Sequence, residues 1–339
     1  MPPRVAGVAG LVLAASACGQ TWQEGTAQRA VLDPRGPAAR DIEVLWWGLL
    51  GAGTVVLLLT MGMLALAVRR RGRARSGTGP GTRFVVLWGF ALPVVVLLAL
   101  LGATVATGVR VYAPPEPAAL SVEVVGHQFW WEVRYDDGTV TANELHIPAG
   151  VPVELTLRSE DVIHSFWVPQ LHGKMDMIPG RVNRFWIQAD EPGVYEGVCA
   201  EYCGIQHAKM RKLVVAQPPE EFAAWLEVQS REAAVPTDAV AAAGREVFLG
   251  SSCVQCHAVR GTTPELREPE ASAAVAVGPD LTHLASRRTI AAGILPNQRG
   301  WLGGWILDPQ AHKPGVRMPP TDLEGEELQA LLAYLETLR

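Results

Sequence analysis

The chain has 339 residues, a net charge of -5 and five cysteines, so it is long enough for two or three domains. Its slightly acidic balance gives no reason to expect nucleic acid as a partner. If all five cysteines served disulfides, one thiol would remain unpaired, so the odd number favours other roles for these residues.

Residues 1–18 predict an export signal. Arg4 precedes a short apolar stretch, Val8–Ala15, which is too short to span a membrane as a mature helix. Small residues then lead to Cys18, and a cysteine at the cut point is typical of a bacterial lipoprotein. The alternative is an ordinary signal peptide in which this cysteine is incidental.

Two apolar runs, Ile42–Val68 and Phe84–Val109, are each long enough to cross a bilayer as a helix. The loop 69–83 between them carries six arginines and no acidic residue, so the positive-inside rule places it in the cytoplasm. Everything after Arg110 then lies outside. Two buried helices of a soluble core would seldom run this long without a polar face. We therefore expect a transmembrane helical hairpin over 42–110.

Short alternating runs punctuated by turns fill residues 119–217. Asp136-Asp137-Gly138 is a hairpin signal, and Pro148-Ala149-Gly150 is a further turn. The runs that suit strands are Ser121–Val125, Phe129–Tyr135, Val151–Arg158, Val182–Ala189 and Lys212–Ala216. This pattern predicts a β-sandwich or barrel.

Residues 199–210 collect soft metal ligands in the loop expected between the last two strands. Cys199, Cys203, His207 and Met210 are the residue types that copper prefers, and His164 is the best candidate for a further ligand from elsewhere. The two thiols alone could also form a disulfide, a zinc corner or a redox couple. Zinc has little use for a thioether, so the added methionine favours copper.

The last hundred residues predict a second cofactor. Helix signals appear at 218–232, Ala239–Phe248 and Glu324–Thr337, with turns rich in Gly and Pro between the last two. Cys253-Val254-Gln255-Cys256-His257 is the attachment pattern of a c-type haem, in which His257 ligates the iron. A thioredoxin-like pair or half a zinc site would need a fold context or further ligands that the sequence does not offer.

Met318 is the favoured distal ligand of this haem. It is the last methionine of the chain, and Pro319 and Pro320 stiffen the segment that carries it. His283 and His312 are the rival ligands, although an isolated histidine is usually structural. Ligation by Met and His suits electron transfer.

These motifs resemble subunit II of a haem-copper cytochrome c oxidase of the caa3 type, which has a cytochrome c domain fused to its C-terminus. The resemblance rests on the hairpin, on Gly126–Trp131, on Asp161–Pro169, on Cys199–Met210 and on the Cys-x-x-Cys-His pattern. It implies a multi-domain chain. The parts are a two-helix transmembrane hairpin (42–110), an all-β cupredoxin sandwich (119–217) and an all-α class I cytochrome c domain (239–339).

The resemblance also implies roles for individual residues. In the dinuclear CuA centre of this family, the residues matching Cys199 and Cys203 bridge two copper ions, and those matching His164 and His207 bind one each. Met210 and the Glu201 carbonyl complete the ligand set, and the Glu201 side chain matches a ligand of Mg or Mn at the subunit I interface. A solvated loop carboxylate is the alternative for Glu201. The same resemblance makes Cys253 and Cys256 the covalent haem attachments, with His257 and Met318 as axial ligands.

The aromatic run Phe129, Trp130 and Trp131 provides candidates for electron entry. Many relatives carry tryptophan where this chain has Phe129, so entry from a tethered haem or a simple packing role are both compatible with the sequence.

The implied function is electron entry into a terminal oxidase that reduces oxygen to water and pumps protons. The implied partners are subunit I, with haem a, haem a3 and CuB, subunit III, membrane lipid, and cytochrome c or an upstream respiratory complex as donor. The implied location is a bacterial inner membrane, with the cofactor domains on the extracytoplasmic side.

Three other classes of protein fit the sequence less well. A quinol-oxidase subunit would lack the copper ligands. A copper-delivery or thiol-disulfide protein would lack Met210 and the haem motif. A nitrous oxide reductase-like protein would need a large propeller domain, for which there is no room.

Overall fold

The computed structural model describes residues 30–70, 81–114, 116–263 and 278–339. The expected signal segment with Cys18, and the greater part of the arginine-rich loop, lie outside the described residues.

Two long apolar helices begin the described chain. Helix α1 spans Pro37–Arg70 and α2 spans Thr82–Tyr112, and they pack against each other as a hairpin. Their most apolar windows have mean hydropathies of 2.2 and 2.8 and are 0% buried inside the chain, so no other described part of the protein covers them. Length and composition therefore allow both to cross a membrane. A π-helical turn at Leu87–Ala91 precedes Pro93, which cannot donate a backbone hydrogen bond.

A β-sandwich of two five-stranded sheets follows the hairpin. One sheet has the order β3-β2-β1-β5-β8 and the other β4-β10-β9-β6-β7. The strands are β1 Leu120–His127, β2 Trp130–Tyr135, β3 Val140–Ala142, β4 Glu144–Pro148, β5 Val153–Ser159, β6 His164–Trp167, β7 Met175–Met177, β8 Asn183–Ile187, β9 Gly193–Cys199 and β10 Arg211–Gln217. Both sheets mix parallel and antiparallel pairs, because β1 pairs with β5 and β10 pairs with β4 in parallel.

Alternating side chains of the two sheets meet in one apolar core. Trp131 is fully buried and packs edge-on against Phe166, while Leu145 and Leu155 add aliphatic volume. This core also contains Cys199, Cys203 and Met210. The sulfur atoms of the expected metal loop are therefore part of the packed interior rather than of a mobile surface loop.

The C-terminal domain is mainly helical. Its helices are α4 Ala239–Gly250, α5 Arg299–Leu307, α6 Pro309–His312 and α7 Gly325–Leu335, and α3 Pro219–Ser230 connects it to the β-sandwich. A two-stranded ladder pairs β11 Thr289–Ile290 with β12 Leu295–Pro296. Helices α4 and α7 pack closely: the Cβ that any other residue would have at Gly244 would lie 1.8 Å from the Ala330 carbonyl oxygen. Only glycine fits at this crossing.

Every segment predicted as a strand contains one, and the three predicted helices are present. The prediction missed β3, β4, β6, β7 and β9, which are short or rich in Gly. It also missed α5, α6 and the β11–β12 ladder, in a region where the sequence showed only turns.

Candidate metal and haem centres

Five side chains converge at one end of the β-sandwich. His164 begins β6, Cys199 ends β9, and Cys203, His207 and Met210 lie in the connection to β10. The Cys199 and Cys203 Sγ atoms are 3.9 Å apart. His164 Nδ1 is 3.9 Å from the first sulfur, and His207 Nδ1 is 3.7 Å from the second. Met210 Sδ lies 3.8 Å from Cys203 Sγ, and the Glu201 carbonyl oxygen lies 3.2 Å from Cys199 Sγ.

Asp161 holds the His164 ring in place. Its Oδ1 lies 2.8 Å from His164 Nε2, which turns Nδ1 toward the sulfur atoms. Burial opposes ionisation of Asp161, but hydrogen bonds from His164 and from the Gln128 and Val162 amides lower its pKa overall. A carboxylate behind a histidine is the usual outer-sphere support of a metal ligand.

The two thiols behave as a coupled pair. All four cysteines that the structure describes are free, so Cys199 and Cys203 form no disulfide. The hydrogen bond from Cys203 lowers the pKa of the Cys199 thiol, although burial acts in the opposite direction. The same interaction raises the pKa of the Cys203 thiol, so one thiol of the pair is favoured as the thiolate, which is the form that binds metal.

The donor set fits copper. The ligand atoms of His164, Cys199 and Cys203 lie within 4.8 Å of one another, and the His207 imidazole and the Met210 thioether lie 3.7 and 3.8 Å from Cys203 Sγ. Thiolate, imidazole and thioether are ligands that copper favours over harder cations.

The Glu201 side chain points away from this cluster. Its Oε2 pairs with Lys174 at 3.3 Å, and the Glu201 carboxylate is 45% exposed. Among the described residues it joins no second group of metal-binding side chains. The Glu201 carbonyl therefore contacts the copper donors, whereas the Glu201 side chain pairs with Lys174.

A large apolar cavity lies in the C-terminal domain. Cys253, Cys256, His257 and Met318 line it, together with core residues from α4, α5 and α7. The β-sandwich contributes to the same cavity through Gln128, Phe129 and Trp130. The cavity is thus shared between the two domains.

The cavity residues fit a c-type haem. His257 Nδ1 lies 2.7 Å from the Pro279 carbonyl and donates to it, which leaves Nε2 free to bind iron. Burial lowers the pKa of His257, so the imidazole is neutral near pH 7. Gln310 Nε2 donates to the carbonyls of Val316 and Met318, which fixes the segment carrying Met318.

The rival distal ligands lie elsewhere. Both ring nitrogens of His283 are within hydrogen-bonding distance of carbonyl oxygens, those of Arg339 and Arg231. His312 packs near Trp301 and Trp305. Neither histidine lines the cavity.

The three aromatic candidates occupy different positions. Phe129 and Trp130 line the haem cavity and are 6% and 8% exposed, whereas Trp131 is fully buried beside His164, with ring centroids 6.0 Å apart. Phe129 also lies against the copper loop, because a Cβ at Gly204 would be 3.1 Å from its ring. Of these three aromatic residues, only Phe129 contacts both the cavity and the copper loop.

Sequence reasoning gave no role to several residues that connect the two regions. Gln128 belongs to the motif Gly126–Trp131 and Asp161 to the motif Asp161–Pro169, but neither residue was given a function from the sequence. Arg317 Nη2 is 3.2 Å from Gln128 Oε1 and 3.4 Å from Asp161 Oδ2. The position of Arg317 next to Met318 could have drawn attention to it. Its partners, Gln128 and Asp161, could not be inferred because they are 189 and 156 residues away in sequence.

This fold and these sites define the class of protein. It is an electron-transfer protein with two apolar helices that can anchor it to a membrane, a cupredoxin-like β-sandwich with a copper-type donor set, and a c-type cytochrome domain.

Comparison with known proteins agrees with this class. A family model described as "Cytochrome C oxidase subunit II, periplasmic domain" matches residues 138–217, and one described as "Cytochrome c" matches residues 241–339. The chain is 40% identical to cytochrome c oxidase subunit 2 of Alkalihalophilus pseudofirmus over 253 residues, which cover 72% of this chain and 70% of the relative. It is 35% identical to the same subunit of Bacillus sp. (strain PS3), covering 75% and 74%.

A solved structure of the periplasmic domain of cytochrome oxidase subunit II from Bradyrhizobium japonicum is 30% identical, with a TM-score of 0.33. It covers 34% of this chain and 95% of that domain. The chain belongs to the cytochrome c oxidase subunit 2 family, in a form with a fused cytochrome c domain that fits the caa3 type. It is therefore part of a haem-copper oxidase, an oxidoreductase complex, and it takes part in electron transfer there.

Proposed function

We propose that the chain takes electrons through a covalently bound haem c and passes them to dinuclear CuA and then to subunit I. There, oxygen is reduced to water and protons are pumped. The observation that carries this proposal is the shared cavity, since residues of the β-sandwich that touch the copper loop also line the haem pocket.

At the copper site, Cys199 and Cys203 would bridge two copper ions. His164 and His207 would bind one ion each, with Met210 and the Glu201 carbonyl at the outer positions. In this arrangement, the two thiolates would let one unpaired electron spread over both metals. The chain's contribution is a rigid donor set, held by Asp161 and by the surrounding core.

At the haem site, Cys253 and Cys256 would hold the porphyrin covalently. His257 and Met318 would ligate the iron, a pair that raises its potential. The hydrogen bond from His257 to Pro279 supports this assignment because it fixes the ring with Nε2 free.

Electron entry to copper involves Phe129 in this proposal, with Trp130 at the cavity wall and Trp131 as a packing residue behind His164. The contacts of Phe129 with both the cavity and the Gly204 loop support this division.

A Mg or Mn ion would bind the Glu201 side chain only with help from subunit I. The partial exposure of this carboxylate is compatible with an interface, and Lys174 would have to release it.

For the arrangement in the cell, we propose an export signal at 1–18 and a hairpin anchor over 42–110 in a bacterial inner membrane. The arginine-rich loop 69–83 would face the cytoplasm. The copper domain (119–217) and the cytochrome domain (239–339) would face outward. Subunits I and III would be the membrane partners, with cytochrome c or an upstream respiratory complex as the donor.

Spectroscopy of the purified oxidase complex tests the cofactors. We expect a c-type haem absorption band together with the EPR signal of a mixed-valence copper pair, with hyperfine splitting from both nuclei. A haem band without a copper signal after copper loading would refute the dinuclear assignment.

A further inference from the structure

Two side chains that carry an ionisable group and are almost fully buried cross the contact between the β-sandwich and the C-terminal domain, one from each side. Lys313, directly after α6, reaches into the β-sandwich. Glu144, the first residue of β4, reaches into the C-terminal domain. Each is 1% exposed. Neither is adjacent in sequence to a residue of the proposed copper or haem ligand sets.

The Lys313 amine is held by one carbonyl from each domain. Nζ donates to the Phe129 carbonyl at 3.1 Å and to the Ala291 carbonyl at 3.2 Å. Burial lowers the pKa of Lys313 to about 7, and the amine has enough hydrogens to donate to both carbonyls in either protonation state. The first acceptor belongs to the residue that contacts both the haem cavity and the copper loop.

The Glu144 carboxylate is held by the backbone of the other domain. Its Oε1 accepts from the amides of Arg288 and Thr289 at 2.8 and 3.0 Å, and from Thr289 Oγ1 at 3.3 Å. These donors lie at the start of the β11–β12 ladder. The interface is therefore reciprocal, with a lysine side chain inserted in one direction and a glutamate side chain in the other.

Such groups select an orientation more than they add stability. A buried amine or carboxylate is tolerated only where its hydrogen-bonding partners are supplied, and a shifted contact would bury it unpaired. An apolar contact alone would allow the domains to slide, because burial of apolar surface has no direction. We propose that Lys313 and Glu144 are positioning residues that hold the cytochrome domain against the copper domain in one orientation suited to electron transfer.

The orientation they select brings the two donor sets together. Arg317, next to Met318, donates to Gln128 Oε1 at 3.2 Å, and Gln128 Nε2 donates to the Cys203 carbonyl at 2.6 Å. One side-chain amide thus joins the segment of the haem ligand to the segment of the copper ligand. This inference rests on the proposed electron transfer from haem to copper.

Pulsed dipolar EPR on the full oxidase complex tests the orientation directly. In the wild type, we expect a narrow distribution of distances between the oxidised haem iron and the oxidised copper centre. The variants Lys313→Met and Glu144→Leu remove the crossing hydrogen bonds and should broaden this distribution. Flash-initiated electron transfer from haem to copper should slow roughly tenfold or more and become multiphasic, since small misplacements are costly.

Matched variants separate positioning from a general loss of charge. Arg184→Met removes a basic side chain on β8 that is 77% exposed, and Glu220→Leu removes an exposed carboxylate from α3. Both should leave the distances and the rate unchanged. Glu144→Gln keeps an oxygen acceptor and should retain most of the wild-type behaviour. The haem and copper spectra of each variant report whether it has folded.

The outcomes distinguish the two proposals. If the wild type reduces its copper through the haem and both disruptive variants keep the narrow distribution and the rate, positioning by Lys313 and Glu144 is refuted. If the wild-type haem does not reduce the copper at all, the proposed function fails first, whatever the distances show.

Discussion

The copper and haem sites of this chain are built in opposite ways. The copper donors are ordered by the scaffold: Cys199, Cys203 and Met210 belong to the core of the β-sandwich, and His164 is fully buried against Asp161. The haem donors lie on a short 3-10 turn and on a loop without regular structure, and Met318 is partly exposed at the cavity wall. Core packing holds the copper donors, whereas the haem donors line an apolar cavity of the kind that a large cofactor fills.

This difference in how the donors are held indicates where each domain obtains its stability. The β-sandwich has a continuous core that does not need copper to fill it. The core of the C-terminal domain lines a cavity, and an unfilled cavity forfeits packing contacts. We therefore expect the domains to respond differently when each loses its cofactor.

Preventing haem attachment should have the largest effect. In a Cys253→Ser, Cys256→Ser double variant, we expect no covalent haem on a denaturing gel and rapid proteolysis of the C-terminal domain. The β-sandwich should stay resistant and still bind copper. A protease-resistant C-terminal domain without haem would overturn the contrast between the sites.

Removing a bridging thiol should abolish the copper centre while sparing the fold. Cys199→Ser is expected to eliminate the mixed-valence EPR signal and to lower oxidase turnover by more than the roughly 10–100-fold typical of outer-sphere changes. Haem staining should be unchanged. Collapse of the β-sandwich in this variant, seen as new protease sensitivity, would mean that the scaffold is not preformed.

Weakening the support of His164 should have an intermediate effect. Asp161→Asn keeps the side-chain volume but removes the charge behind the ring. Copper affinity should therefore fall about 10–100-fold, measured by competition with a chelator. Asp136→Asn, in an exposed hairpin turn, is the matched control and should bind copper like the wild type. Equal affinities in the two variants would contradict a supporting role for Asp161.

The two sites could be predicted from sequence where their donors are close together in the chain, but not where a donor depends on a distant strand. The donors within 199–210 and 253–257 are close in sequence, so their spacing indicated both cofactors. The β-sandwich was expected because several strands alternate clearly. Strands β6 and β9, which present His164 and Cys199, were missed because one is short and the other contains two glycines.

The contact between the domains could not be predicted at all. Lys313 is separated from Phe129 by 184 residues, and Glu144 is separated from Thr289 by 145. Neither side chain carries a local pattern, because each is paired with backbone groups that any sequence could offer. Relations of this kind arise from tertiary packing alone.

The smallest expected effect concerns acid stability of the preformed domain. Glu132 is buried in β2, where its carboxylate lies 2.9 Å from His127 Nε2 and 2.8 Å from Arg134 Nε. Burial alone would raise its pKa, but these hydrogen bonds outweigh it and lower the pKa below the ordinary value of 4.5. The stabilisation is therefore complete above about pH 5 and is lost as the pH falls through the lower pKa of the folded state.

Glu132→Gln should test this sign. At pH 7 we expect the variant to be less stable by about 1 kcal/mol, which would lower the unfolding midpoint of a domain of this size by roughly 4–8 °C. Pulse proteolysis during heating, with mass spectrometry of fragments from 119–217, reports unfolding of the β-sandwich. Glu160→Gln, which changes an exposed carboxylate, is the control. The difference from the wild type should shrink as the pH falls below the folded-state pKa of Glu132, because protonation of Glu132 then leaves both proteins uncharged at this position. A difference independent of pH would show that shape, rather than ionisation, accounts for the loss.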